Sequence, residues 1–261
     1  MHTAVTPSFR DELLTASETL LPALSAARLE RCEGYLLVSY PRFPSAATNG
    51  VWSWGGGGQV AGELASRLAE IEATGVSPGV LVFDQEAPEL EHEARRLGLT
   101  ERHEIPGMAA TPSTFQDAGS AGLDLATAVD PERRGQALEV AAASFGFPRE
   151  WGEEYYSGAM HDLGARIYVG LEAGRPVTTA IAFHGERSVG IFNVATLPER
   201  RGRGYGAAIT SRAAADGFAA GAHLAWLQAS GMGLGVYQRL GFETVSTAEL
   251  WTRPEADVTG I

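Results

Sequence analysis

Two hydrophobic periods alternate along the chain, and their order predicts its elements. Leucines at 13, 14, 20, 21, 24 and 29 give residues 11–33 a loose helical spacing, after which 34–40 reads as a buried strand. A turn-rich stretch follows, and residues 51–54 form a second short strand. Glycines at 55–58 lead into a helix whose apolar positions 60, 61, 64, 65, 68 and 71 share one face, and Gly75 closes it. Residues 78–84 read as a strand, 87–98 as a helix ending at Gly98, and 99–108 as another strand. From 109 to 122 the composition shifts to small and turn residues, which predicts a linker.

The second part opens with a strand at 123–129, and Asp130 with Pro131 supplies the cap and first turn of a helix reaching Phe145. A second helix follows Pro148. Strands at 165–171, 177–184 and 189–196 are separated by gaps too short for crossovers, so they are antiparallel hairpins. A glycine- and arginine-rich turn, a helix at 207–221, a strand at 223–230, a short helix at 233–241 and a last strand at 242–251 complete the order. The fold class is α+β, a mixed and mostly antiparallel central sheet flanked by helices.

The two halves end alike. Arg-Leu-Gly-Leu at 96–99 and Arg-Leu-Gly-Phe at 239–242 lie 143 residues apart, and each closes a short helix before a strand. At that offset the long helices, the strands after them and the final strands line up. Agreement in element order and length predicts an internal duplication, with two such domains in tandem at 1–118 and 119–261.

Composition narrows the function. The net charge of -12 disfavours nucleic acid and anionic membrane as partners, since both would be repelled at long range. All 20 cationic side chains are arginine, which excludes Schiff-base and P-loop lysine chemistry. A single cysteine, Cys32, and the absence of zinc-type spacing argue against a metal and for a reducing compartment. No leader-like or membrane-length apolar run is visible, so a cytoplasmic location is expected. Against the acidic background, residues 199–212 hold four arginines and one glutamate.

That cluster carries the strongest chemical signal. Arg201-Gly202-Arg203-Gly204-Tyr205-Gly206 lies between a strand and a long helix. Glycines there let a ligand approach the backbone, and successive N–H groups at a helix start favour a phosphate or pyrophosphate. The Walker pattern fails for want of lysine, and the antiparallel hairpins do not fit a dinucleotide fold.

These residues resemble the GCN5-related N-acetyltransferase family. Its acetyl-CoA motif, Arg/Gln-x-x-Gly-x-Gly/Ala at a strand-to-helix turn, is matched by Arg201, Gly204 and Gly206. A strand ending in Ala229-Ser230 and a short helix with Tyr237-Gln238-Arg239-Leu240-Gly241-Phe242 match its second motif. The resemblance covers residues 123–252 and implies direct acetyl transfer from acetyl-CoA to a small primary amine. It also implies that Val194, Ala195 and Thr196 pair with the pantetheine arm, that residues 201–206 hold the pyrophosphate with Ser230 near the arm, and that Tyr237 is the general acid. An acidic protein suggests a cationic acceptor, and the assembly is expected to be a monomer or homodimer.

No carboxylate stands on the central strands, and Asn193 can orient water but not accept a proton. Glu153, Glu154, His161, Asp162 and His184 remain as candidate bases beside water-mediated proton loss. A non-catalytic acetyl-CoA sensor is the alternative function. In the first half, residues 58–63 offer glycines and a glutamate but no arginine, and Ala94 stands at the place of Tyr237, so that copy is expected not to bind acetyl-CoA. The aromatic residues Tyr40, Phe43, Trp52 and Trp54 are read as core rather than as an acceptor entrance.

Overall fold

A computed structural model describes residues 9–55, 57–83 and 87–258. The first half runs α1 (Phe9–Leu20), β1 (Arg28–Cys32), β2 (Tyr35–Ser39), β3 (Gly50–Ser53), α2 (Gly57–Glu72), β4 (Gly79–Phe83), α3 (Pro88–Arg96) and β5 (Glu101–Ala110). The second runs β6 (Asp124–Thr127), α4 (Pro131–Phe145), α5 (Arg149–Gly152), α6 (Gly158–Asp162), β7 (Ala165–Glu172), β8 (Arg175–His184) and β9 (Ser188–Thr196). It ends with α7 (Tyr205–Ala219), β10 (Leu224–Gln228), α8 (Leu234–Arg239) and β11 (Glu243–Thr252).

Local chemistry explains most boundaries. In α2, Val60, Leu64, Leu68 and Ile71 form one buried stripe. Asp130 caps α4 by accepting from the Arg133 amide at 2.8 Å, Pro131 occupies its first turn, and Gly146 ends it at φ +78°. The helical spacing predicted across residues 11–33 holds only to Leu20. A 3₁₀ turn with Pro22 stops the helix, and Arg28–Cys32 pairs with β2 as the outermost strand. Its charged residues Arg28, Glu30 and Arg31 hide the strand in the sequence; charge on an exposed edge blocks pairing with another chain.

Among the described residues the strands form one sheet in the order β1-β2-β3-β4-β11-β5-β10-β9-β8-β7-β6. It is antiparallel except at β3/β4 and β9/β10. The predicted two units therefore do not carry separate sheets. Each half sends its last strand into the other: β5 pairs with β10, β11 pairs with β4, and the two pair with each other at the centre. In that central ladder Ile105 stands opposite Ala248, its own counterpart at the offset of 143, with Glu104↔Glu249 and Pro106↔Thr247 on either side. Equivalent positions are thus related by a local two-fold through this pair.

The helix ends repeat the relation. Gly98 and Gly241 are both left-handed, at φ +86° and +82°. The Leu99 and Phe242 amides donate at 3.0 Å to the carbonyls of Ala94 and Tyr237 respectively, so each helix is closed by the same turn.

One sheet face carries a continuous core under α1 and α4, from Leu36 and Leu81 through Ile105 and Trp226 to Ile181. The opposite face holds two separate cores, one under α2 and α3 and the other under α7 and α8. Residues 111–123 connect the halves and dock on the second of these. There the Gln116 amide donates to Leu240 O at 2.9 Å and the Ala118 amide to Ser211 Oγ at 3.0 Å. No helix of the described residues is long and apolar enough to cross a membrane.

Candidate active site

The site begins where two parallel strands part. The β9/β10 ladder runs from Leu224↔Ser188 to Leu227↔Ile191 and stops there. Just beyond, the β8/β9 register shifts between Thr179↔Ala195 and Ile181↔Phe192, and Asn193 takes a left-handed φ of +50°. This bulge bends β9, so its edge from Phe192 to Thr196 faces open space rather than β10. The resulting cleft of about 530 Å³ is walled on one side by residues 191–196 and on the other by Gln228, Ala229, Ser230, Gly233, Val236 and Tyr237. An extended ligand with amide groups could add to the free strand edge.

At one end of the cleft lies the start of α7. Gly202 and Gly204 are left-handed, at φ +76° and +82°, and Gly204 caps the helix with no side-chain bond to its first amides. Those amides and the positive end of the helix dipole are free to meet an anion. Gly206 lies within the helix, has no left-handed φ, and a Cβ built there meets only Thr196 Oγ1, at 3.7 Å. Neither conformation nor packing demands glycine at that position. Its missing side chain leaves the approach to the helix start open.

The arginines divide. Arg201 lines the cleft, its Nε donating to Thr196 O at 3.2 Å and its Nη2 to Ser144 O at 3.1 Å. Arg203 does not line it: Nη1 pairs with Glu172 at 3.1 Å. Arg200, which the sequence motif passes over, reaches the cleft wall and bonds the other Glu172 oxygen at 2.8 Å. The Tyr205 hydroxyl, backed by Arg200 and Arg203, holds Glu172 below the usual carboxylate range. One carboxylate thus ties two cations and a phenol into a fixed rim. Arg239 adds a further cation to the wall.

Tyr237 lies in the wall of the same cleft, 8% exposed, its ring packed near Phe242 and against Gly233. Burial pushes its phenol up to about 12, so it stays protonated at every working pH. No described residue bonds its hydroxyl. The Ser230 hydroxyl accepts from the Gly233 amide at 3.3 Å and so helps hold the loop that carries α8.

Val194, Ala195, Thr196, Arg201, Gly202, Gly204, Tyr205, Gly206, Ser230 and Tyr237 therefore share one cleft, and Arg203 stands outside it. The sequence reading passed over Arg200, Arg239, Ile105, Phe145, Phe192, Gln228 and Met232, which also line it. Arg200 adjoins the motif and could have been read from it. Ile105 comes from the exchanged strand β5, which no local pattern reveals.

None of the five candidate bases lines the cleft. Glu154 pairs with Arg42 and accepts from Ser25 and Tyr40, so it fastens the turn after α5 to the first half. Glu153 borders a shallow surface hollow with Arg134 and Arg149, and His161 and Asp162 are exposed. His184 lies opposite Val189, at the far end of β8 from the bulge.

His184 instead bears on stability. Burial, with Arg166 nearby, pushes its imidazole down to about 4, and its Nε2 is buried without a hydrogen bond. The unfolded chain protonates first, near an ordinary value of ~6.5. Stability should be complete above that pH and decline as pH falls toward 4. Thermal melts of wild type and His184→Asn should diverge in slope across pH 4 to 6.5. Parallel curves would mean that this histidine titrates normally.

In the first half a Cβ at Gly58, near the start of α2, would come within 2.7 Å of the Glu89 carboxylate, so an anion stands beside this helix start. Ala94 is fully buried at the position of Tyr237, and Glu63 accepts from the Tyr35 hydroxyl at 2.7 Å. Tyr40, Phe43 and Trp52 are core and Trp54 packs against it; none lines the cleft. Among the described residues no group of three or more His, Cys, Asp or Glu could hold a metal ion.

Comparison with known proteins agrees with this geometry. Residues 164–244 match the family model described as an acetyltransferase (GNAT) domain. A GCN5-related N-acetyltransferase from Kribbella flavida superposes with a TM-score of 0.71 at 18% identity, covering 97% of this chain and 98% of its own. Another from Sphaerobacter thermophilus gives 0.63 at 17% identity, over 94% and 86% of the two chains. A tandem GNAT protein from the clavulanic acid biosynthesis pathway gives 0.52 at 13%, over 72% and 67%. No curated protein matches the sequence. The chain thus carries a GNAT acetyltransferase domain at residues 164–244, set in a GNAT-like fold that takes in both halves of the sheet.

Proposed function

We propose that this protein is an N-acetyltransferase that moves the acetyl group of acetyl-CoA directly onto a small-molecule primary amine. The observation that carries the reading is the meeting, in one cleft, of a free strand edge, an uncapped glycine-rich helix start and a protonated, unbonded tyrosine. In this reading residues 194–196 align the pantetheine arm and the amides at the start of α7 hold the pyrophosphate. Arg200 and Arg201 supply charge, and Tyr237 Oη donates to the leaving sulfur. Arg203 acts through Glu172 by keeping Arg200 and Tyr205 in place.

The exchanged strands and the pairing of Ile105 with Ala248 support a tandem origin, with residues 1–118 as a copy that has lost its ligand site. In this reading the first copy still serves the second, because β5 supplies Ile105 to the cleft.

Calorimetric titration with CoA, followed by free-thiol detection over a panel of amines, tests the proposal. Binding together with turnover is expected, and failure to bind CoA would end it. The alternative, an acetyl-CoA sensor, is favoured by one feature: no carboxylate or histidine stands among the described residues of the cleft wall. Tight CoA binding without turnover of any amine would select it.

A further inference from the structure

We infer that the acceptor is a weakly basic primary amine on an apolar body, of the arylamine or arylhydrazine class, and not a polyamine or amino sugar. The inference rests on the acetyl-transfer reading above and goes against the cationic acceptor that overall charge suggests.

The wall of the cleft away from α7 and α8 is apolar. It is made by Ile105, Phe145 and Phe192. Phe192 stands edge-on to Trp226 at 5.1 Å, and Phe145 stacks on Phe147 at 6.2 Å, so both rings are fixed. The polar groups beside them, Ser144, Asn193 and Gln228, are neutral. Every charged side chain on the described wall is an arginine. A polycation entering here would lose water and find no carboxylate on the described wall.

Proton accounting gives the same answer. The amine lone pair forms the C–N bond to the thioester carbonyl, and the C–S pair leaves on sulfur. The thiolate leaves hydrogen-bonded by Tyr237 Oη and takes its proton from solvent, and the extra proton on nitrogen goes to water. No wall residue of suitable pKa can remove a proton from the amine beforehand. The nucleophile must therefore arrive neutral. An alkylamine of pKa ~10.4 is neutral in only about one molecule in 2,500 at pH 7. An aromatic amine, its lone pair shared with the ring, is almost wholly neutral there.

The test uses the full chain with saturating acetyl-CoA and follows thiol release and acetylated product by mass. The acceptors are ring-substituted anilines, phenylhydrazine, spermidine and glucosamine. The aromatic acceptors should exceed spermidine in kcat/KM by about 10-fold or more at pH 7, because binding at the apolar wall adds to their larger neutral fraction and outweighs the lower nucleophilicity of an aromatic nitrogen. Across the anilines, the acid limb of the pH profile should move with the pKa of the acceptor. Preference for spermidine or glucosamine would overturn the inference, as would an acid limb that stays fixed while the acceptor pKa changes, since that limb would belong to a base on the protein. CoA binding with no turnover of any acceptor would also overturn it. A parallel CoA titration separates the levels: loss of CoA binding sinks the acetyl-transfer reading itself, while CoA binding with the wrong acceptor preference sinks only this inference.

Discussion

Gly206→Val should cost about 100-fold or more in CoA affinity while leaving the fold intact. The two effects can be separated because of where this glycine lies. It is in the first turn of α7, without a left-handed φ, and a Cβ there has only Thr196 Oγ1 nearby, at 3.7 Å. Glycine is among the poorest helix residues, so valine there should hold or slightly raise the melting temperature. A branched side chain would nevertheless stand over the amides at the helix start. Each charge-assisted bond lost is worth ~1.5–3 kcal/mol, and two of them suffice for the predicted loss. Gly206→Ala, which adds a single methyl group, should fall between the two. Gly204 is the poorer probe: at φ +82° any side chain strains the backbone, and lost binding would be confounded with lost structure. Calorimetry and melting curves on wild type, Gly206→Ala and Gly206→Val decide the matter. A stable Gly206→Val protein with unchanged CoA affinity would remove the start of α7 from the binding site.

Much of this fold was legible because its signals are local. The stripe on α2, the Asp130-Pro131 start of α4, the hairpins from Ala165 to Thr196 and the two Leu-Gly helix ends each depend on residues close in sequence. The exchange of β5 and β11 was not legible. Both strands have the same length, and nothing in either says whether its neighbour is β4 or β10. The offset of 143 read from the helix ends nevertheless reappears as the pair at the sheet centre, so the sequence held the symmetry while the partner choice came from tertiary packing.

The site divides along the same line. The glycine turn and Tyr237 announce themselves by spacing, because a helix start and a short helix fix where those groups project. The bulge at Asn193 shows in the sequence only as a polar residue in an apolar strand. The candidate bases failed for a definite reason: Glu154 is spent on an ion pair between the halves, and His184 lies at the wrong end of its strand. Position in sequence gave their elements but not the direction of the cleft. Arg203 failed in the opposite sense, since it belongs to the motif but turns outward to Glu172 and leaves the wall to Arg200.

Tyr237→Phe should lower kcat by about 10- to 100-fold with little change in the KM for acetyl-CoA or in stability, at or below the low end of what general acid catalysis supplies. Stability is safe because the hydroxyl bonds no described residue, so its removal leaves no buried partner unsatisfied, and the ring keeps its packing against Gly233 and Phe242. The size of the effect follows from two pKa values. The phenol is held at about 12, whereas a thiol lies near ~8.5, so complete proton transfer to the thiolate is uphill by several units. Tyr237 therefore acts chiefly as a hydrogen-bond donor to the charge that develops on sulfur, and such a bond is worth ~1.5–3 kcal/mol. Because the donor does not ionise until about 12, the ratio of wild-type to Tyr237→Phe rates should stay level from pH 6 to 10. The comparison belongs at saturating acceptor, with added viscogen to show that product release is not limiting. A ratio near one throughout would make Tyr237 a packing residue and strengthen the sensor alternative. A ratio that collapses with pH near 8 would mean that the phenol titrates far below the value its burial imposes, and that the cleft is wetter around it than the packing allows.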